Sequence, residues 1–457
     1  MSTLHSEAAR RFNQDRDKTT WHDATFWSVR QKRDQMAAGL PEWEQLREQA
    51  SQIKRHTITH LADYLEQFAG QLESRGVIVH WARTADDFNN TVLDILRQHG
   101  VKKMVKSKSM LTEECAMNPF LQRNGIDVVE TDLGERILQL LGQKPSHIVM
   151  PAIHLKREEV GRMFEEKGIS TDKGNYDPTY LTRCARQHLR QEFMEAGAGM
   201  TGCNFGVAKT GDIVVCTNEG NADMSTSMPK LHIVAMGIEK IVPDYKSLAV
   251  FQRLLCRSAT GQPTTSYTSH FRQARHGAEM HVILVDNGRS DILADSDHWE
   301  TLKCIRCGSC MNTCPVYRRS GGYSYTYFIP GPIGVNLGML RDPRRYSDNV
   351  SACTLCLSCD NVCPSKVAPG SQVYLWRQKL DSLHRADPMK KIMSEGMEVL
   401  FDHPHLYASA LKMAPLANIV PDEITHIRAV NPWGVGHSKP EFAKESFQTM
   451  WKKGKIG

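Results

Sequence analysis

The sequence predicts an α/β domain followed by a smaller helical domain that binds metal clusters. Short β-branched runs alternate with helical stretches between residues 77 and 150, a pattern that is typical of a parallel, three-layer α/β sheet. Eight of the 13 cysteines lie between positions 304 and 363, in two runs with the same spacing. A chain of 457 residues has room for about two to four domains.

The chain divides into four predicted regions. Apolar residues recur at three- and four-residue steps between Trp43 and Phe68, which predicts one long helix in an N-terminal helical region, 1–75. The α/β domain is predicted at 76–292, the cluster domain at 293–385, and a C-terminal helical region with a tail at 386–457. Strands are predicted at 77–81, 103–106, 126–130, 147–150, 213–216, 232–235 and 281–285, and helices at 85–98, 112–124 and 134–141.

Composition excludes several classes of protein. A net charge of +6 spread over 457 residues is too dilute for a nucleic-acid binder, so no nucleic-acid partner is expected. The charged N-terminus lacks the apolar core of a secretory signal, and an odd number of cysteines argues against a disulfide scaffold, so a cytoplasmic location is expected. No apolar run is long enough to span a bilayer. Residues 406–420 are the best candidate for peripheral membrane contact, and the alternative is a packed terminal segment.

The cysteine runs predict iron–sulfur clusters. Each run reads C-x2-C-x2-C-x3-C-P, the spacing in which three cysteines bind one cubane and the fourth binds the cluster of the other run. We therefore predict two [4Fe–4S] clusters, one bound by Cys304, Cys307, Cys310 and Cys363, and the other by Cys353, Cys356, Cys359 and Cys314.

Structural zinc is the alternative interpretation of the cysteines. Zinc sites usually pair two short C-x2–4-C motifs into four ligands, which two runs of four cysteines fit poorly. Near the first run, Lys303 and Arg306 are candidates to offset the negative charge of a thiolate-bound cluster. The alternative for both side chains is an ordinary solvated surface.

Motifs in the α/β region and after the first cysteine run add a family resemblance. The chain carries Lys106-Ser-Lys-Ser-Met110, Gly202-Cys-Asn-Phe205, Thr217-Asn-Glu-Gly-Asn221, Gly237-Ile-Glu-Lys240 and Phe328-Ile-Pro-Gly-Pro-Ile-Gly334. From about residue 40 onward it resembles the B family of iron–sulfur proteins in the bacterial lactate-utilization system. The resemblance implies a LUD domain, similar to the CoA-transferase and ribose-phosphate-isomerase class of folds, joined to a helical two-cluster ferredoxin-like module.

The resemblance also implies function and partners. Such a protein acts with two other lactate-utilization subunits to oxidise L-lactate to pyruvate, and its part is to move electrons to a redox partner. Two alternatives remain open. Either the α/β domain itself binds and oxidises a hydroxy acid, with the clusters as its electron outlet, or the chain is a scaffold whose clusters are structural. Whether the chain is itself an enzyme is therefore undecided at this point.

Candidate substrate-binding residues lie in loops that follow predicted strands, where α/β sheets place ligands. Lys106 and Lys108 are candidates to hold a carboxylate or phosphate. Asn218, Glu219 and Asn221 form a polar turn that is a candidate pocket wall. Glu219 is also a candidate nucleophile or base, by analogy with CoA-transferases alone. The alternatives are a solvated basic loop for the lysines and an ordinary turn for residues 218–221.

Three histidines near strand ends, His147, His154 and His232, are candidate general bases for a 2-hydroxy acid. Each is more often a structural residue whose hydrogen bonds are satisfied within the fold. The sequence contains neither the G-x-G-x-x-G motif of a dinucleotide site nor a P-loop, so no NAD or ATP site is expected. No motif indicates where a flavin would bind.

Overall fold

The computed structural model describes residues 5–383, 388–427 and 438–455 and divides the chain into two compact units, Met1–Lys379 and Leu380–Gly457. The strands of the first unit are β1 Ile78–Ala82, β2 Lys103–Lys106, β3 Asp127–Glu130, β4 Ala198–Thr201, β5 Phe205–Val207, β6 Asp212–Thr217, β7 Leu231–Gly237, β8 Ile241–Val242, β9 Tyr267–Phe271 and β10 Glu279–Val285.

Helices precede and separate these strands. Before the sheet come α1 His5–Phe12, α2 Arg16–Ala38, α3 Trp43–Thr59 and α4 Leu61–Glu73. Among the strands lie α5 Ala85–Gln98, α6 Met110–Glu114, α7 Met117–Arg123, α8 Leu133–Leu141, α9 Arg157–Glu166, α10 Pro178–Glu195, α11 Asn221–Ser227 and α12 Tyr245–Ala259.

The main sheet has six strands in the order β1-β10-β7-β4-β2-β3, and every neighbouring pair is parallel. One face packs on a core that includes Phe88 and Leu96 of α5, and the other face packs on a core that includes Phe68 of α4. Covering both faces with helices is what a parallel sheet of apolar strands requires. The prediction of a parallel, three-layer α/β domain is confirmed.

A second sheet has four strands in the order β8-β5-β6-β9. In it β5 pairs antiparallel with β6 and parallel with β8, and β6 pairs antiparallel with β9. The predicted strand at 213–216 is β6 and so belongs to this mixed sheet. Phe205 on β5 stacks on Phe251 of α12, with ring centroids 5.3 Å apart, which anchors α12 to this sheet.

Side-chain hydrogen bonds cap the first turns of helices α5 and α8. Thr84 and Asp87 form a reciprocal capping box at α5, with Thr84 Oγ1 accepting from the Asp87 amide at 3.1 Å. At α8, Asp132 Oδ1 accepts from the amides of Gly134 and Glu135 at 3.1 and 3.3 Å. These caps satisfy amides that would otherwise lack partners, and the second cap fixes the position of the Asp132 carboxylate.

Three predicted elements differ from the structure. Residues 147–150 form no strand, because His147 Nδ1 accepts the amides of Val149 and Met150 and bends the chain. The long N-terminal helix is broken at His60 between α3 and α4. The predicted helix 112–124 is two helices, α6 and α7, separated where Ala116 takes the left-handed φ of 49°.

The rest of the first unit is helical. It contains α13 Arg289–Ala294, α14 Ser309–Thr313, α15 Pro315–Ser320, α16 Gly331–Arg341, α17 Pro343–Ala352, α18 Ser358–Val362 and α19 Pro369–Ser382, whose last residues enter the second unit. Short helices α14 and α18 each contain the third cysteine of a run, and α14 packs against both α18 and α2. The four predicted regional boundaries stay predictions.

The second unit contains α20 Pro388–Asp402, α21 Pro404–Met413, α22 Asp422–Thr425 and α23 Phe447–Lys452. In the segment 406–420, Leu406, Leu416 and Ile419 are 51%, 57% and 77% exposed, and both interpretations of this segment stay predictions. Among the described residues, no helix is both long and apolar enough to cross a membrane.

Candidate metal centre and adjoining cavity

The two cysteine loops have the same backbone course. In the first loop Arg306 and Gly308 have positive φ angles of 59° and 75°, and in the second loop Leu355 and Leu357 occupy the equivalent positions with φ of 53° and 57°. Three of these four residues carry side chains that disfavour the left-handed region. Left-handed residues at alternate positions of a turn favour a concave nest of inward-pointing amides, a backbone arrangement found at many iron–sulfur sites.

Backbone amides point at the first sulfur of each loop. The Arg306 amide donates to Cys304 Sγ, and the Leu355 amide donates to Cys353 Sγ, both at 3.4 Å. Amide donors to thiolate sulfur favour the deprotonated ligand and raise a bound cluster's potential. The two cysteine runs therefore share not only their spacing but also this amide-to-sulfur hydrogen bond.

The fourth cysteine of each run lies close to the other run. Burial, and then the neighbouring Cys363 thiol, raises the pKa of Cys307. Burial and, beyond it, the Cys353 thiol raise the pKa of Cys314, to about 11. Crossed ligation requires this proximity, and the assignment of each cysteine to a cluster stays a prediction.

Side chains from the N-terminal helices hold the two loops together. Thr313 Oγ1 and Ser358 Oγ, from the two short cysteine helices, lie 2.5 Å apart, and Arg30 of α2 donates to both hydroxyls. Arg47 of α3 donates from Nε to the Cys363 carbonyl at 3.0 Å. The helices before the α/β domain therefore fix the relative position of the cysteine loops.

The donor set fits [4Fe–4S] clusters. Each loop presents thiols and inward-pointing amides, and a thiol of the other run lies nearby. Thiolates are the ligands that such clusters take. Two runs of four cysteines fit structural zinc sites poorly, since such sites usually pair two short C-x2–4-C motifs.

A cavity of about 530 Å³ adjoins the first cysteine loop. Its walls include residues at or within a few positions after the carboxyl ends of β2, β3, β4, β7 and β10, the edge at which parallel α/β sheets bind ligands. Arg306 and Cys307 of the cysteine loop complete the wall. The α/β domain and the metal centre therefore share one cavity.

One side of the cavity carries paired carboxyl groups. Burial and the neighbouring charge of Asp132 raise the pKa of Glu219 to about 8. Although burial opposes it, hydrogen bonding to Glu135 and the charge of Lys108 lower the pKa of Asp132. Near neutral pH this side therefore holds an ionised Asp132 next to a protonated Glu219, an arrangement suited to exchanging a proton with a ligand.

The structure brings four of the five candidate substrate-binding residues to this cavity. Lys108, Asn218, Glu219 and Asn221 line it. Lys108 Nζ lies 3.1 Å from Glu135 and donates to the Val149 carbonyl. The fifth candidate, Lys106, is fully buried away from the wall, with its ammonium 2.8 Å from the Glu130 carboxylate.

The three candidate histidines do not line the cavity. His147 bonds to Asn312 at 3.0 Å and His232 to Thr201 at 2.9 Å, and burial lowers the pKa of both histidines to about 3. His154 bonds to a serine hydroxyl at 2.7 Å, and burial lowers its pKa to about 4. Their contacts are those of structural residues in the fold.

Another part of the cavity wall carries charged residues that are not among the predicted substrate-binding residues. Arg289 forms a buried bridge to Glu114 and Glu239, with Nη2 2.9 Å from Glu114 Oε2. Although burial opposes it, the charges of Arg289, Lys240 and Arg306 lower the pKa of Glu239 to about 2. The sequence signal that could have identified this part of the wall is the position of residues 237–240 at the carboxyl end of β7.

Of the two residues proposed to offset cluster charge, only Arg306 lines the cavity. Lys303 is buried instead, and its ammonium lies 3.1 Å from both Glu300 Oε1 and Ser51 Oγ. Burial, opposed by the charge of Glu300, lowers the pKa of Lys303. The ammonium of Lys303 therefore joins α3 to the segment before the first cysteine loop.

Two family models agree with this architecture. A LUD domain matches residues 65–292, and a 4Fe-4S dicluster domain matches residues 300–367. The fold and the site thus define a protein that joins a LUD domain to a ferredoxin-type module for [4Fe–4S] clusters. A solved DUF162 family protein from Deinococcus radiodurans covers 49% of this chain and 98% of its own, at 14% identity and a TM-score of 0.28.

Curated relatives are similar over nearly the whole chain. "Lactate utilization protein B" of Oceanobacillus iheyensis is 38% identical, covering 92% of this chain and 90% of the relative. The same-named protein of Geobacillus thermodenitrificans is 41% identical, covering 83% and 81%. "Uncharacterized electron transport protein YkgF" of Escherichia coli is 38% identical, covering 92% and 90%. The chain belongs to the lactate utilization protein B family, which confirms the resemblance in the sequence.

Proposed function

We propose that this chain is the iron–sulfur electron-transfer subunit of a multi-subunit complex that oxidises L-lactate to pyruvate. Two cysteine loops with one backbone conformation, each with a thiol of the other run nearby, are the observation that carries the proposal. The names of the relatives support both electron transport and lactate utilization. Two other subunits of the system and a redox partner are its proposed partners.

The chain's own residues would hold two [4Fe–4S] clusters close together. Cys304, Cys307 and Cys310 with Cys363 would bind the first, and Cys353, Cys356 and Cys359 with Cys314 the second. When bound, such clusters supply one-electron transfer. Amides at Arg306 and Leu355 would stabilise the ligating thiolates, and the bonds from Arg30 and Arg47 would keep the loops in register.

The test is reduction by substrate in the assembled system. The anaerobically purified chain is mixed with its two partner subunits and L-lactate, and cluster reduction is followed by EPR and visible absorbance. We expect reduction with L-lactate that requires the partners. Clusters that dithionite reduces, but that L-lactate with partners never reduces, would contradict the proposal and favour a structural role.

A second candidate function is that the α/β domain itself binds and oxidises a hydroxy acid. The cavity favours it, because it joins the carboxyl edge of the sheet to Cys307 and carries the Asp132–Glu219 pair. Lys108, Asn218, Glu219 and Asn221 would contact the substrate, and ionised Asp132 would accept its hydroxyl proton. The second proton, from the carbon that bears the hydroxyl, would be released to solvent, and the two electrons would leave through the two clusters, one to each. Lys106 would act indirectly, by fixing the end of β2. Lactate-dependent dye reduction by the purified chain without partners would support this function, and no dye reduction would exclude it.

A further inference from the structure

Two cations on the wall of the cavity have no directly bonded anionic partner among the described residues. Lys240, just after β7, lines the cavity and has no hydrogen-bond or ion-pair partner among the described residues. Arg306 lines the same cavity from the first cysteine loop, and its Nη1 is buried without a hydrogen-bond partner. Buried charged donors are normally paired, so this wall suits a group that the described chain does not supply.

The nearby carboxylates do not fill this need. Glu114 and Glu239 are both engaged by Arg289, which donates to Glu114 through Nη1 and Nη2 at 3.0 and 2.9 Å and to Glu239 through Nε. Lys54, fully buried beside them, donates to the carbonyls of Glu239 and Ile241. Counting Lys240 and Arg306, this wall carries two acidic and three basic side chains. With Lys54 buried behind it, this part of the cavity has an excess of positive charge.

We propose that Lys240 and Arg306 hold the anionic group, a carboxylate or a phosphate, of a redox-active small molecule bound in this cavity. The proposal rests on the proposed electron-transfer function and gives that function a binding site. Guanidinium and ammonium groups are the side chains that bind such anions most strongly. Because Arg306 and Cys307 are neighbours in the chain and both line the cavity, an anion held there lies beside the metal centre.

Size and lining define the rest of the molecule. A volume of about 530 Å³ lies within the range of pockets that enclose cofactor-sized ligands. Apolar residues such as Val149, Leu255 and Ile329 share the wall with the charged groups. Two sources of the anion fit: a small hydroxy or keto acid, and the phosphate of an aromatic cofactor such as a flavin, which converts two-electron into one-electron transfer.

A competing explanation is that the two cations only offset the negative charge of the bound thiolates. It predicts that neutralising either cation lowers the midpoint potential of the adjacent cluster and leaves ligand binding unchanged. The binding proposal predicts a loss of affinity whether or not the potential moves. Affinity and potential are therefore both measured.

The experiment uses the anaerobically purified full-length holoprotein and two probes, pyruvate and flavin mononucleotide. Binding is measured by calorimetry for pyruvate and by fluorescence quenching for the flavin. We expect at least one probe to bind, with about tenfold or greater loss of affinity in Lys240→Met and in Arg306→Met, and recovery in Lys240→Arg. The matched control is Lys246→Met, which removes an exposed lysine that does not line the cavity and should bind as the wild type does.

The two probes distinguish the source of the anion, since pyruvate binding indicates a carboxylate substrate and flavin binding a phosphorylated cofactor. Lys240 lies outside the cysteine loops, so Lys240→Met with wild-type iron content is the deciding variant. If neither probe binds, or if that variant binds as tightly as the wild type, the proposal is overturned. Failure of the proposed function would look different: probe binding would still depend on Lys240, while L-lactate with partners would leave the clusters oxidised.

Discussion

Removing cysteines in pairs tests whether the ligands cross between the two runs. The structure places Cys314 beside the second run and Cys363 beside the first. Replacing Cys314 and Cys356 together should therefore destroy one cluster only. Replacing Cys314 and Cys307 together should destroy both.

The expected magnitudes are iron counts. A cubane holds four irons, so a wild-type chain with two cubanes should hold about eight. The double variant Cys314→Ala/Cys356→Ala should keep about four, and Cys314→Ala/Cys307→Ala should keep close to none. Ligation within each run predicts the reverse, because Cys307 and Cys314 would then serve the same cluster.

The assay is iron and sulfide per chain after anaerobic purification, with EPR of the dithionite-reduced protein. Cys184→Ala is the matched control, because this buried cysteine lies on α10 outside both runs and its loss should leave the iron content unchanged. Ligation across the two runs is refuted if the Cys314/Cys307 double variant keeps about four irons while the Cys314/Cys356 double variant keeps none.

Three further predictions concern the surrounding structure. Arg289→Met leaves the buried Glu239 carboxylate without its guanidinium donor and should lower the free energy of unfolding by about 3–5 kcal/mol, measured by denaturant titration. Exposed Arg157→Met should have little effect, and equal losses in the two variants would contradict this. Gly308→Ala adds a Cβ 3.0 Å from a histidine ring at a φ of +75°, whereas the Cβ added by Gly100→Ala, at a φ of +63°, meets nothing within 4 Å. Both variants should lose stability, but only Gly308→Ala should lose iron, and equal iron contents in the two variants would contradict this prediction. Folding raises the pKa of Glu219 from 4.5 to about 8, so the folded protein binds this proton more tightly than the unfolded chain, and the free energy of unfolding falls as the pH rises from 4.5 to about 8. Melting curves of Glu219→Gln should show a smaller fall in stability over this pH range than those of the wild type. Parallel pH profiles for the two proteins would contradict this prediction.

Much of the fold could be predicted because its signals are local. Strands rich in valine and isoleucine, such as β10, and the capped helix α5 were found at or near their observed bounds. β4 was missed because its sequence, Ala-Gly-Met-Thr, holds one β-branched residue. Residues 147–150 have the composition of a strand, but the His147 ring accepts two local amides and turns the chain. Side-chain hydrogen bonds of this kind compete with the backbone hydrogen bonds of a β-sheet, and hydrophobic periodicity does not reveal them.

The candidate site was predictable in part for the same reason. Cysteine spacing is a local signal, and so is the polar turn that contains Glu219. Left-handed conformations at Leu355 and Leu357 have no such signal, since leucine rarely adopts them. Lys240 and Arg306 are distant in sequence and reach one cavity wall only through tertiary folding.

The central claim is that this chain binds two [4Fe–4S] clusters that transfer electrons. It is tested most directly by iron and sulfide analysis of the anaerobically purified chain, combined with EPR during stepwise reduction. About eight irons and eight sulfides per chain, with spectra of two reduced clusters whose spins interact, are the predicted result. Zinc in place of iron, or no more than one cluster per chain, would contradict the account.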